Sequence, residues 1–215
     1  MKIIAINGSP RKGWNTDIVL DHAIRGALSE NAQVEEFHLF DLSFSGCQSC
    51  FRCKAIGGGS IARCGWRDEL TEVLSKTLDA DGLLIAAPVY FRDVPGAVRN
   101  FYERVLFPSQ IYAADGHKGY VKDVNVGLIY TMNVEDPKQN GYLAEEHATF
   151  FKRLMGPAEV LNIVDTCQFH DYSAYLSERF DASAKMLHKE QRFADDCARA
   201  YEFGKNMARG RRESI

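Results

Sequence analysis

The chain has 215 residues, 46% of them hydrophobic, and its 26 Lys and Arg against 29 Asp and Glu give a net charge of −3 with both signs interspersed. That length suits one α/β domain with a full-sized core, the mixed charge leaves no electrostatic footprint for nucleic acid, and no run approaches the ~18 apolar residues of a membrane span. The apolar start at 1–7 is too short for a signal peptide, so a soluble cytoplasmic protein with a small ligand is expected, its six cysteines reduced or occupied by metal.

Ile3 to Ile6 is a β-branched apolar run without polar alternation, the pattern of a strand covered on both faces of a parallel sheet. The loop that follows combines Gly8 and Gly13, the hydroxyls of Ser9 and Thr16, and the charges of Arg11 and Lys12. A helix beginning near Asn15 or Thr16 directs its free N–H groups and positive dipole end at the same spot. Gly13 is followed by Trp14-Asn15, which excludes a Walker A loop, and no glycine stands two places after Gly8, which excludes the dinucleotide fingerprint. What remains suits a terminal monophosphate such as flavin mononucleotide presents.

The first helix, 16–29, is expected to bury Leu20, Ala23, Ile24, Ala27 and Leu28, and a second strand follows at 34–39. Residues 41–67 read as a long loop holding four of the six cysteines, a length that signals function or disorder. A helix at 68–78 leads to a second buried strand, Gly82 to Ala87, which runs into Pro88-Val-Tyr-Phe-Arg-Asp93. The next helix carries Val98, Phe101, Tyr102 and Val105. A strand at 124–131 ends in Thr131-Met132-Asn133, and a helix striped by Leu143, His147, Phe150, Phe151 and Leu154 precedes a fifth strand at 160–165. A closing helix at 182–208 sets Leu187, Ala194, Cys197, Ala198 and Tyr201 on one side, and 209–215 reads as a frayed tail.

Five strands alternating with helices predict a single domain over 1–208 with a doubly wound five-stranded parallel sheet of order 2-1-3-4-5. In that order the chain reverses between strands one and three, and ligands bind at their carboxyl ends. The loops at 8–16 and 88–94 follow those two strands, and Thr131, Met132 and Asn133 open beside the same crevice. Tyr90 and Phe91 offer stacking surface, and backbone N–H groups from Val89 to Asp93 are placed to donate to a ring edge. Cys167 and Cys197 read as small buried hydrophobes, Trp14 and Trp66 as packed loop bases, and His22, His117, His170 and His188 show no paired ligand spacing.

With Gly8-Ser-Pro-Arg11, Asn15-Thr16 and Pro88-Val-Tyr90, the chain resembles the flavodoxin-like NAD(P)H-dependent FMN reductases over roughly residues 1–130. The resemblance implies FMN, with Ser9, Arg11, Lys12, Gly13, Asn15 and Thr16 about the phosphate. Pro88, Val89, Tyr90, Phe91, Arg92 and Asp93 would surround the isoalloxazine, with Thr131, Met132 and Asn133 as a third wall and NAD(P)H as co-substrate. No separate catalytic side chain is required, because the cofactor carries the hydride chemistry.

Cys47-Gln-Ser-Cys50-Phe-Arg-Cys53 looks like the compact cysteine motif of the iron-sulfur flavoproteins, and two-residue gaps suit a [4Fe-4S] cage better than zinc. Cys64 is the candidate fourth metal ligand, although Ala55 to Ala62 lengthens the loop beyond the gap usual in that family. The alternative is four thiols, reduced or oxidised, without a cluster. Three functions follow. The first is an oxidoreductase passing electrons from NAD(P)H to a quinone, flavin, nitro compound or protein acceptor. The second is an electron carrier with ferredoxin-like partners. The third is a flavodoxin-like binding module whose cysteine loop is a structural metal or thiol-sensing site. The family resemblance also implies a homodimer or homotetramer, with 101–112 as an expected contact.

Overall fold

The computed structural model describes residues 1–57, 62–112 and 122–210; residues 58–61 of the cysteine loop, His117 and the tail at 211–215 lie outside the described residues. The strands are β1 Lys2–Asn7, β2 Gln33–His38, β3 Gly82–Pro88, β4 Asn125–Thr131 and β5 Ala158–Ile163. They form one parallel sheet of order β2-β1-β3-β4-β5, with Asn7 opposite both His38 and Ala86 and with Pro88 opposite Thr131. The helices are α1 Asn15–Ser29, α2 Leu70–Asp79, α3 Gly96–Ser109, α4 Leu143–Leu154, α5 Ala182–Gln191 and α6 Phe193–Ala208. Among the described residues, no helix is long and apolar enough to cross a membrane.

The period of two along each strand sorts the core into two layers. Ile4, Ile6, Leu83, Ile85 and Leu128 face α2, α3 and α4, while Ile3, Ala5, Leu84, Ala86 and Ile129 face α1 and α6. Burial on both faces is why β1 and β3 carry unbroken apolar runs. β2 is an edge strand with no fully buried residue, and its charged positions suit that edge.

Two expectations about helix faces are corrected. α1 buries Val19, Leu20, Ala23, Gly26 and Ala27, while Leu28 is half exposed. The contact runs through small residues because α1 and α6 touch backbone to backbone. A Cβ on Gly26 would lie 1.9 Å from the Tyr201 carbonyl oxygen, and one on Gly204 would lie 1.9 Å from that of Ala23. The closing helix is two helices, broken at Arg192. α6 packs Cys197, Ala200, Gly204 and Met207 inward, leaving Ala194 and Ala198 exposed. α5 turns aside to bury Lys185, and Leu187 on it is half exposed. Arg209, expected in the tail, pairs with Glu30 at 2.6 Å.

Candidate functional site

The loop after β1 begins where the Gly8 N–H donates to the Ala86 carbonyl at 2.8 Å, fastening it to the end of β3. A Cβ on Gly8 would collide with Val98 of α3, so glycine is needed for that approach. Ser9 is buried; its N–H donates to Asn7 Oδ1 at 3.1 Å, and its Oγ accepts from the Arg11 N–H at 3.1 Å. Gly13 adopts φ +67°, and Trp14 then precedes the first turn of α1 without a side-chain cap. An uncapped first turn leaves backbone N–H groups for an anion.

Thr16 Oγ1 lies 2.6 Å from Thr131 Oγ1, so the loops after β1 and β4 meet across the end of β3. Val89 N–H donates to the Thr131 carbonyl at 2.9 Å and adds the loop after β3 to the same junction. The structure thus brings together Ser9, Thr16, Val89 and Thr131 at the sheet's switch point. Other expected residues are turned elsewhere. Arg11 Nη1 donates to the Gln168 carbonyl at 2.8 Å, and its guanidinium sits 4.2 Å from the Trp14 ring centre. Asn15 Nδ2 donates to the Cys167 carbonyl at 2.7 Å, and Lys12 pairs with Asp41 at 2.5 Å. The segment after β5 therefore lies on the loop after β1, anchored by Trp14, Cys167 and Tyr172 in one small apolar cluster.

Tyr90 and Asp93 exchange backbone hydrogen bonds of 2.7 and 3.0 Å, closing a tight turn with Phe91 at φ +52° and Arg92 at φ +65°. Phe91 is fully exposed at its tip, and Tyr90 is partly exposed. Two adjacent β-carbon residues in the left-handed region are uncommon and strained. The expected row of donors from Val89 to Asp93 is corrected. The N–H groups of Val89, Tyr90 and Asp93 are spent within the protein, which leaves those of Phe91 and Arg92.

Beneath the turn lies a buried polar set that the sequence reading placed on a core stripe. His147 Nδ1 and the Tyr130 hydroxyl lie 2.9 Å apart, the Tyr130 and Tyr102 hydroxyls 3.3 Å, and His147 Nε2 is 3.6 Å from Asp93. Burial outweighs the Asp93 charge and lowers the His147 pKa to about 4, so the ring is neutral at neutral pH. On the far wall, Lys185 Nζ reaches the Asn133 carbonyl at 2.7 Å and pairs with Asp165, while His188 Nδ1 lies 2.7 Å from the same carboxylate. A lone lysine in a polar helix gave no sign of this.

The four cysteines of the long loop line one pocket together with Trp66, Arg104 and Phe107. All are free thiols; Cys53 is buried and Cys50 exposed. Burial, first, and the neighbouring Cys64 and Cys47 raise the Cys53 pKa against the opposing charge of Lys54. Among the described residues the set of ligand atoms lying within 4.8 Å of one another is Asp17, Glu36 and His38. No three of the cysteine sulfurs lie that close together. The Asp17–Glu36–His38 group, missed in the sequence, is satisfied internally, since Asn7 Nδ2 donates to Asp17 at 2.6 Å and to Glu36 at 3.2 Å.

Trp14, Cys167 and Cys197 are buried as expected. Within the segment expected as a subunit contact, Phe101 and Tyr102 are core, Phe107 walls the cysteine pocket and Tyr112 is exposed.

The family model for NADPH-dependent FMN reductase matches residues 1–119. An iron-sulfur flavoprotein of Methanocaldococcus jannaschii is 33% identical over 104 residues, 48% of this chain and 51% of that protein. Another, from Archaeoglobus fulgidus, is 35% identical over 104 residues, 48% of each chain. The matched stretch thus spans about half the length of these relatives. Among solved structures, an NAD(P)H:quinone oxidoreductase from Methanothermobacter marburgensis superposes with TM-score 0.67 at 13% identity, covering 96% of both chains, a likeness of fold.

Proposed function

The chain belongs to the NADPH-dependent FMN reductase family, and from that premise we propose that it is an oxidoreductase that holds FMN across the loops after β1, β3 and β4. The observation that carries the reading is the junction itself. Thr16 of the first loop, Val89 of the second and Thr131 of the third meet at the carboxyl ends of adjacent parallel strands, where doubly wound sheets bind ligands.

The residues present suit the group. The uncapped first turn of α1, Ser9 and Thr16 form the phosphate end. Arg11 and Asn15, whose donors here go to the Gln168 and Cys167 carbonyls, would exchange those contacts for the phosphate and bring it charge and amide donors. The Tyr90–Asp93 turn presents an aromatic wall and the free N–H groups of Phe91 and Arg92 to a ring edge. FMN, once bound, supplies hydride acceptance and onward electron donation. The protein's own part is to position that ring, to leave one face open beside the exposed Phe91 for a stacked nicotinamide, and to offer donors that favour a negatively charged ring. The acceptor in this reading is a quinone, flavin, nitro compound or protein. The working unit is a homodimer or homotetramer in the cytoplasm.

Replacing Arg11 by Ala tests the phosphate end. Loss of a charge-assisted contact of ~1.5–3 kcal/mol is expected to weaken FMN binding about tenfold or more, read by quenching of flavin fluorescence. Unchanged affinity would move the phosphate elsewhere.

A second reading, an electron carrier with an iron-sulfur centre, is favoured by one observation. Cys47, Cys50, Cys53 and Cys64 line one pocket together with the buried Arg104, whose Nε–H has no hydrogen-bond partner within the protein. Four thiols gathered at one pocket, with a cationic side chain in its wall, fit a [4Fe-4S] cluster with those sulfurs as ligands. Such a group would add one-electron exchange with ferredoxin-like partners.

A further inference from the structure

Arg104 is 1% exposed, and its guanidinium lies between the two ends of the cysteine loop. Burying such a charge is unfavourable unless every face of it finds a partner. Nη1 donates to the Ser45 carbonyl at 3.1 Å and pairs with Asp68, and Nη2 donates to the Trp66 carbonyl at 3.0 Å. Ser45 stands two residues before Cys47 and Trp66 two residues after Cys64, so one side chain holds both shoulders of the excursion that carries all four thiols. Asp68 completes the clamp, since it accepts from the Ser45 N–H at 3.3 Å and from the Leu70 N–H at 3.1 Å. Burial works against the charge of Arg104, and the Asp68 carboxylate and the Cys64 sulfur more than offset it.

The rest of α3 cooperates. Glu103 accepts from the Cys47 N–H at 3.1 Å, and Lys54 Nζ, from within the loop, donates to the Phe107 and Pro108 carbonyls at 2.5 and 2.8 Å. These contacts fasten the described parts of the loop to α3. The donor still unspent, Arg104 Nε–H, belongs to a side chain that walls the pocket beside Cys64.

We propose that Arg104 is the positioning residue of the cysteine pocket, fixing the ligand loop from both ends and turning a cationic N–H donor on the sulfur side, so that it governs both retention and potential of a cluster bound there. The inference rests on the second reading above. N–H donors and positive charge beside cluster sulfurs favour the more reduced, more negative state and therefore raise the reduction potential.

The test is anaerobic reconstitution of the full chain with ferrous iron and sulfide. Iron, sulfide and FMN are then assayed per chain, and the cluster midpoint potential is taken by electron paramagnetic resonance. Wild type is expected to take up iron and sulfide. Arg104→Gln is expected to keep its FMN, to hold iron roughly tenfold or more weakly, as when a group that orients metal ligands is lost, and to shift the midpoint negative. Wild-type iron, sulfide and potential in Arg104→Gln overturn the inference while leaving the cluster reading standing. A wild type that binds no iron or sulfide overturns the cluster reading and the inference with it. If Arg104→Gln loses FMN as well, Arg104→Lys decides, because it keeps the charge beside Asp68 but lacks the fork. Intact FMN with reduced iron retention and a lowered potential supports the proposal, and wild-type values of both contradict it.

Discussion

Arg92 at φ +65° sits in a conformation that disfavours a side chain by ~1–2 kcal/mol, and glycine removes that strain at some cost in chain entropy. Arg92→Gly is therefore expected to stabilise the fold by roughly 0.5–1 kcal/mol in urea melts while altering flavin reactivity. A loss of stability would mean that the arginine side chain makes contacts outweighing the backbone term. His147, with a pKa near 4, is neutral in the folded protein, whereas the unfolded chain takes up a proton on it near pH 6.5. The unfolded state thus binds more protons between those values. Stability is whole above about pH 6.5 and falls as pH drops toward 4, by at most about 3 kcal/mol. His147→Gln is expected to flatten that slope in denaturant midpoints measured across the window, and an undiminished slope would assign it to other groups. The turn after β1 was legible in Gly8 and Ser9, whose residue types the turn itself uses, whereas the turning of Arg11 and Asn15 toward the Gln168 and Cys167 carbonyls was not, because those partners lie far along the chain. His147 and Arg104 were not, because a titratable residue on a helix stripe or in a helix gives no sign of burial until its neighbours across the chain are known.

At the level of elements, the strands and their order were readable because burial on both faces demands unbroken apolar runs, and because the sharpest loops follow strands one and three. The helix faces were less so. An apolar-stripe reading assigns the α1 contact to Leu20, Ala23, Ile24, Ala27 and Leu28, of which Leu20, Ala23 and Ala27 are buried, yet the closest approach runs through Gly26 and Gly204, which have no side chain to register in such a pattern. The break at Arg192 was hidden for a related reason, since buried Lys185 pulls α5 toward Asp165 and Asn133 through a polar contact. Gly204→Ala tests the seam. Its Cβ would meet the backbone of Ala23 at 1.9 Å, and backbone cannot move aside as a side-chain tip can. A destabilisation of ~3 kcal/mol or more is expected in equilibrium unfolding, at the upper end for overpacked cores. A near-neutral result would require α1 and α6 to sit farther apart than described here.

Over the whole molecule, α3 joins the two chemical regions. Its N-terminal end follows the strained Tyr90–Asp93 turn, and Glu103, Arg104 and Phe107 farther along it shape the cysteine pocket. Fourteen residues of helix rise ~21 Å in all, so the turn and the pocket are held at a set separation by one rigid element. The segment after β5 closes on the loop after β1 from the other side. The proposed FMN site stands at the β1–β3 switch point, and the thiol pocket is held farther along α3. The most direct test is the visible absorption spectrum of the anaerobically purified protein, recorded before and after NADPH is added. The account predicts flavin bands that bleach with the nucleotide. A colourless protein that also fails to take up added FMN would contradict it.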